Sequence, residues 1–189
     1  MAEVLGADYK LHLLDPRARA HKTPEHLARH PMGKVPTLTH DGRSLFEGAT
    51  ICRYMAAVEN SKLYPDDLYD RAIVDQWIDF FSQHLGRWIN SLYFHNVLGP
   101  RLGKEPQQDA VDEASGFATS QAETVDKHLG ENEYLCGANL TIADPYAFAY
   151  IRAAENVGFS MDPFPSIIAW HDKLKARPDV QKAESLVKD

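Results

Sequence analysis

Apolar and polar positions change rhythm about a third of the way along this chain. In Tyr9-Lys10-Leu11-His12-Leu13-Leu14, apolar side chains recur at every second residue until the last. That is the period of a half-buried strand, and Asp15-Pro16 breaks it. Thr23-Pro24-Glu25 then reads as an N-cap, an N1 proline and an early acid, opening a short helix that must stop before Pro31. Two small strands follow, Thr37 to His40 and Arg43 to Phe46, separated by Asp41-Gly42, a hairpin pair that tolerates positive φ. From there Ile51, Tyr54, Met55 and Val58 recur at helical spacing.

Beyond Leu63-Tyr64-Pro65-Asp66-Asp67 the period is helical throughout. Ile73, Trp77, Phe80, Phe81, Leu85, Trp88, Ile89 and Leu92 predict one long helix with a wide apolar face, and the breaker-rich run Gly99 to Pro106 predicts a loop. Ala110, Ala114, Phe117, Gln121, Val125 and Leu129 predict a second long helix, with Gly130 as its stop. Thr141 and Asp144 have capping-box spacing ahead of a helix through Tyr146, Phe148, Tyr150 and Ile151. Ile167, Trp170, His171 and Leu174 mark another, and Pro178 to Val187 a short last one. The pattern predicts an α+β domain over residues 1-63, in the order strand, helix, strand, strand, helix, and an all-α domain over residues 64-189.

Composition narrows the classes of function. The chain has 189 residues, of which 44% are hydrophobic, enough for a substantial core. Lys plus Arg number 20 against 27 Asp plus Glu, a formal charge of −7, the wrong sign for a chain whose main task is neutralising phosphate backbones. Nucleic acid is not an expected partner. Cys52 and Cys136 stand far apart with no CxxC, so neither a disulfide framework nor a cysteine zinc site is expected. No basic leader or membrane-length apolar run is present, which predicts a cytoplasmic protein without a membrane partner.

The candidate chemistry lies in Arg29-His30-Pro31-Met32-Gly33-Lys34-Val35-Pro36-Thr37-Leu38, where a proline stands at the mouth of a strand after a glycine-permitted turn. A cis Val35-Pro36 bond would turn the Val35 amide and carbonyl outward, free to pair with an extended peptide; the residues alone favour an ordinary trans proline at a strand edge. His26 and His30 are spaced i, i+4 and could share a metal, but no third ligand is in sight and no metal is expected. Trp77, Phe80, Phe81 and Trp88 read most simply as core, with one or two available to line a pocket. Cys52 and Cys136 read as inert buried thiols.

Lys34-Val35-Pro36-Thr37-Leu38, Asp41-Gly42, and Leu45-Phe46-Glu47 with Ala49, Ile51 and Tyr54 resemble the glutathione-binding half of cytosolic glutathione transferases. Ala20-His21-Lys22-Thr23-Pro24-Glu25-His26-Leu27-Ala28-Arg29 is similar to the phi class and its bacterial relatives. Tyr134-Leu135-Cys136-Gly137 and Thr141-Ile142-Ala143-Asp144 look like the same family's C-terminal half. The resemblance implies a thioredoxin-like N-terminal domain, a helical C-terminal domain, glutathione as co-substrate, a hydrophobic electrophile bound between the domains, and a homodimer keyed by Met32. By the same resemblance, Val35 ahead of a cis Pro36 pairs with the cysteinyl unit, His21, Lys22 and Lys34 face the glycine carboxylate, and Glu47 holds the γ-glutamyl ammonium. An anionic tripeptide with one ammonium needs such a set of cationic donors and one acidic acceptor. Each residue also has a plainer reading: His21 and Lys22 as solvated loop residues, Glu47 as a first-turn acid.

Two departures stand out. Gly48 occupies the place where the family carries Ser or Thr, so the amide for the γ-glutamyl carboxylate is retained and the hydroxyl is lost. The family's first strand and most of its first helix, whose junction bears the Ser, Tyr or Cys that activates the thiol, have no counterpart before Tyr9, and no catalytic residue is assigned. A longer parent enzyme, a non-catalytic binding or dimerisation module, and a pocket adapted to other chemistry are the expectations that follow, in that order.

Overall fold

Asp41 and Gly42, at φ 50° and 73°, form a tight reversal whose twist suits two strands. β1 (Thr37–His40) and β2 (Arg43–Phe46) pair antiparallel around it, with Thr37 opposite Phe46 and His40 opposite Arg43. The computed structural model describes residues 1–186, which divide into two compact units, Met1–Ser61 and the chain from Lys62 onward.

In the first unit a short α1 (Ala2–Leu5) and a 3₁₀ turn (Ala20–Lys22) precede α2 (Pro24–Arg29), and α3 (Gly48–Val58) follows the hairpin. Thr23 caps α2 as expected, accepting the His26 amide at 3.3 Å, with Pro24 in the first turn where its missing N–H costs nothing. α3 packs on both strands through the buried face Ile51, Cys52 and Ala56. The strand expected over Tyr9–Leu14 does not form. The segment is irregular, with Leu13 72% exposed, and the only sheet among the described residues is the hairpin. A period of two makes a segment able to pair, but a strand exists only where a neighbour supplies the ladder.

The second unit is helical: α4 (Leu68–Gln83), α5 (Leu85–Tyr93), α6 (Gly99–Arg101), α7 (Gln108–Glu131), α8 (Ala143–Asn156), α9 (Pro165–Lys175) and α10 (Pro178–Ser185). Val187, the expected end of the last helix, lies outside the described residues. Val74, Ile78, Phe81, Leu85, Ile89 and Leu92 are fully buried, and α7, which packs on α5 and α9, buries Ala114, Ala118, Ala122 and Val125, small residues that allow close approach.

Three boundaries differ from expectation. The single long helix is two helices, broken at His84 (φ −111°, ψ −98°), and just beyond the break Gly86 packs so closely that a β-carbon there would lie 2.1 Å from the Phe81 carbonyl oxygen and 2.5 Å from the Tyr150 ring. The supposed loop from Gly99 opens instead as α6, entered from a π-type turn (Phe94–Leu98), with Pro100 in a first turn that needs no donor from it. Helix α7 passes through Gly130 to Glu131, and Asn132 donates its side-chain amide to the His128 carbonyl at 2.9 Å, so no left-handed glycine is needed to close it.

The expected capping box forms, and more converges on it. The Asp144 carboxylate accepts the Thr141 amide at 2.9 Å and hydroxyl at 3.2 Å, the Leu135 amide at 2.9 Å and the Trp170 indole N–H at 3.0 Å. Burial pushes its carboxyl above the ordinary range while these four donors pull it back. One side chain thus joins the Tyr134–Gly137 turn, the start of α8 and the middle of α9.

Candidate functional site

The hairpin register sets the site's frame. Thr37 and Phe46 are partners at the end away from the turn, so Pro36 and Glu47, one residue further along each arm, leave the sheet together. Glu47 bridges β2 to α3 at φ 70°, ψ 116°, a backbone conformation costly for any residue but glycine and retained only when its surroundings over-determine it. Its exposed carboxylate takes no hydrogen bond or ion pair among the described residues. Gly48 opens α3, and no side chain caps that helix, so its first-turn amides remain available beside Glu47.

The other wall comes from the Ala20–Lys22 turn and the loop ahead of Pro36. Gly33, at φ 59°, lies so close to the turn that a β-carbon would sit 2.5 Å from the His21 carbonyl oxygen. Lys22 donates its ammonium to the Met32 carbonyl at 2.9 Å. These contacts hold His21 and Lys22 against the loop that carries Lys34 and Val35. His21 is half-buried with its Nδ1 unpartnered, whereas Lys34 and Val35 are exposed, Val35 by 65%. The Val35–Pro36 bond is cis, where the residues alone favoured trans.

His26 and His30 hold this loop from below. Each is 3% exposed. His26 shares a hydrogen bond between its Nε2 and the Lys34 carbonyl at 2.8 Å, and His30 accepts the Met32 amide at Nδ1 from 3.2 Å while its ring packs on Phe46 at 4.8 Å. The i, i+4 pair that suggested a metal is a loop clamp, and no set of three His, Cys, Asp or Glu side chains able to hold a metal occurs among the described residues. The available signal was their placement one turn apart just before a Gly-Lys-Val-Pro loop.

Of the seven residues expected at a site, His21, Lys22, Lys34, Val35, Pro36, Glu47 and Gly48 all belong to this turn, loop and hairpin end. Two ammonium groups, a main-chain segment with open hydrogen-bonding groups and an uncompensated carboxylate beside an open helix N-terminus suit an extended anionic peptide with a free amino group. Burial pushes the Cys52 thiol and the Cys136 thiol, the latter only half-buried, up to about 11, which disfavours the thiolate at neutral pH. In the second unit Phe81 is wholly core, while Trp77, Phe80 and Trp88 are half-buried, Trp88 stacking on Phe117 at 4.6 Å.

Comparison with known proteins bears on this arrangement. Residues 1–57 match the family model described as glutathione S-transferase, N-terminal domain, and residues 82–178 match the C-terminal domain model. "Glutathione S-transferase 1" of Zea mays is 32% identical over 189 residues, a match covering 98% of this chain and 88% of that protein. A solved structure of glutathione S-transferase-I bound with lactoylglutathione superposes with a TM-score of 0.87 at 31% identity, covering 98% of this chain and 90% of its own. A glutathione transferase family member from Pseudomonas fluorescens with two glutathione bound gives 0.84 at 28% identity, covering 96% and 83%.

Proposed function

Because the chain belongs to the glutathione S-transferase family, we propose that its residues 1-63 form a glutathione-binding domain, residues 64-189 its helical partner domain, and that glutathione lies along the Val35-Pro36 loop. The family membership gives a thioredoxin-like fold followed by a helical domain and supports a transferase with glutathione as co-substrate. In the reaction the thiol gives its proton to solvent, the thiolate sulfur bonds to an electrophilic carbon of a hydrophobic acceptor, and a leaving group departs with the displaced pair or the acceptor's own π electrons take it up; alternatively two glutathione thiols are oxidised to the disulfide as a hydroperoxide is reduced to an alcohol and water.

In this reading Val35 pairs through its main chain with the cysteinyl unit beside Pro36. Lys22, Lys34 and His21 face the glycine carboxylate. Glu47 accepts the γ-glutamyl ammonium, and the Gly48 amide donates to the γ-glutamyl carboxylate. The observation that carries it is Glu47: a strained backbone and a free carboxylate, set at the hairpin end that Pro36 shares. Met32, 64% exposed at the tip of the loop, supports the homodimer as its key into a second copy. No helix among the described residues is long and apolar enough to cross a membrane.

A second reading, a binding or dimerisation module without turnover, draws on specific observations. In the first unit Tyr9 donates to Glu3 at 2.7 Å, Tyr54 pairs with His40 at 2.7 Å, Ser44 pairs with Thr39 at 3.2 Å, and Cys52 is buried. An unactivated thiol near pKa 8.5 is only a few per cent thiolate at neutral pH. We assign no residue of this sequence as activator. Turnover of glutathione with chlorodinitrobenzene or an organic hydroperoxide above the uncatalysed rate supports the enzyme; glutathione binding with no turnover supports the module; absence of binding overturns the site.

A further inference from the structure

His26 of α2 and His30 at its C-cap are absorbed by no step of the proposed reaction, yet both are buried and both hold the loop on which glutathione would lie. Met32 N–H goes to His30 Nδ1, the Gly33 amide goes to the His30 carbonyl at 2.8 Å, and the Lys34 carbonyl faces His26 Nε2 at 2.8 Å. A carbonyl has no proton to give, so His26 is the donor and carries its proton on Nε2.

The consequence follows from peptide geometry. The Lys34 carbonyl and the Val35 amide are two ends of one planar group, and this bond is trans, so they point in opposite directions. Drawing the carbonyl inward to His26 therefore aims the Val35 N–H outward, to the side where Val35 is exposed and where its amide has no partner among the described residues. Thr23 adds a further restraint, since its hydroxyl accepts the His26 amide and fixes the first turn from which the imidazole projects.

We propose that His26 is a positioning residue for glutathione: its Nε2–H fixes the Lys34–Val35 peptide plane and thereby orients the main-chain amide that receives the cysteinyl unit. This rests on the site reading above. His26 does not touch the tripeptide; it acts through Lys34.

The test uses the full 189-residue chain and glutathione titrated calorimetrically into the parent, His26→Leu and His26→Gln. Leucine fills the space without a donor, and the glutamine amide nitrogen reaches about as far as Nε2. His26→Leu should weaken glutathione about five- to tenfold, the range for one lost hydrogen bond, while His26→Gln stays within about twofold of the parent. Equal affinity in all three overturns the proposal and leaves the site reading intact. Glutamine as weak as leucine also overturns it, because bulk rather than donation would then matter. A parent that fails to bind glutathione overturns both. Imidazole nitrogen NMR of the unsubstituted protein provides a check that needs no variant: the proton must be on Nε2 of His26, and a bare Nε2 would end the proposal.

Discussion

Gly33 and the His21 carbonyl oxygen approach so closely that a β-carbon on Gly33 would stand 2.5 Å away from that oxygen, well inside contact distance. The obstacle is main chain, which no rotamer change relieves, and the φ of 59° disfavours an L side chain in any case. Gly33→Ala should therefore separate the Ala20–Lys22 turn from the Lys34-Val35 loop. We expect a stability loss of about 2 kcal/mol, seen as a Tm lower by about 4 to 8 °C, together with weaker glutathione binding. An alanine variant as stable and as tight as the parent would refute the packing described.

Gly48 lies at the first position of α3, where the family carries a hydroxyl that a single substitution puts back. Gly48→Ser should tighten glutathione by about tenfold or more, since a hydrogen bond to a charged group is worth roughly 1.5 to 3 kcal/mol. The dissociation constants of the two proteins decide it, and an unchanged value would mean that the γ-glutamyl carboxylate is not at α3.

His171 gives the second unit an acid-sensitive point. Its ring is 5% exposed, stacked on Phe148 at 4.6 Å, with Nε2 unpartnered. Burial lowers its pKa, and Lys175 adds to that, against the opposing pull of Glu155 and Asp172. The fold thus prefers the neutral ring. Its contribution is fully present above the unfolded value of about 6.5 and is lost as pH falls from there through the lower folded value. Within that window, denaturation curves should lose up to about 1.4 kcal/mol per pH unit from this group, and His171→Phe should flatten the slope. An identical acid slope in both proteins would assign the sensitivity elsewhere.

What was legible in the sequence was chemistry completed within a few residues. Asp41-Gly42 implied the hairpin, Thr23-Pro24 the start of α2, and Thr141 with Asp144 the capping box, because each signal and its partner are neighbours. The rest depends on distant segments. The Tyr9–Leu14 alternation could not reveal that no ladder meets it, and the apolar face from Ile73 to Leu92 runs unchanged across the break at His84 because both helices feed one core. Asp144 was readable as a cap, but its bond to Trp170 joins residues of two helices. At the candidate site the residue types were visible and their restraint was not: the positive φ of Glu47 and the two imidazoles under the loop emerge only when α2, the hairpin and α3 are packed together.

The central claim is that Glu47 and the Val35-Pro36 loop form one receptor for the tripeptide. Its most direct measurement is a calorimetric titration of glutathione into the 189-residue protein and into Glu47→Gln, which keeps size and removes the charge that meets the γ-glutamyl ammonium. The account predicts one site per chain in the parent and an affinity reduced by roughly tenfold or more in the variant, as expected for losing a charge-assisted hydrogen bond. No heat of binding in the parent, or equal affinity in the two proteins, would contradict it.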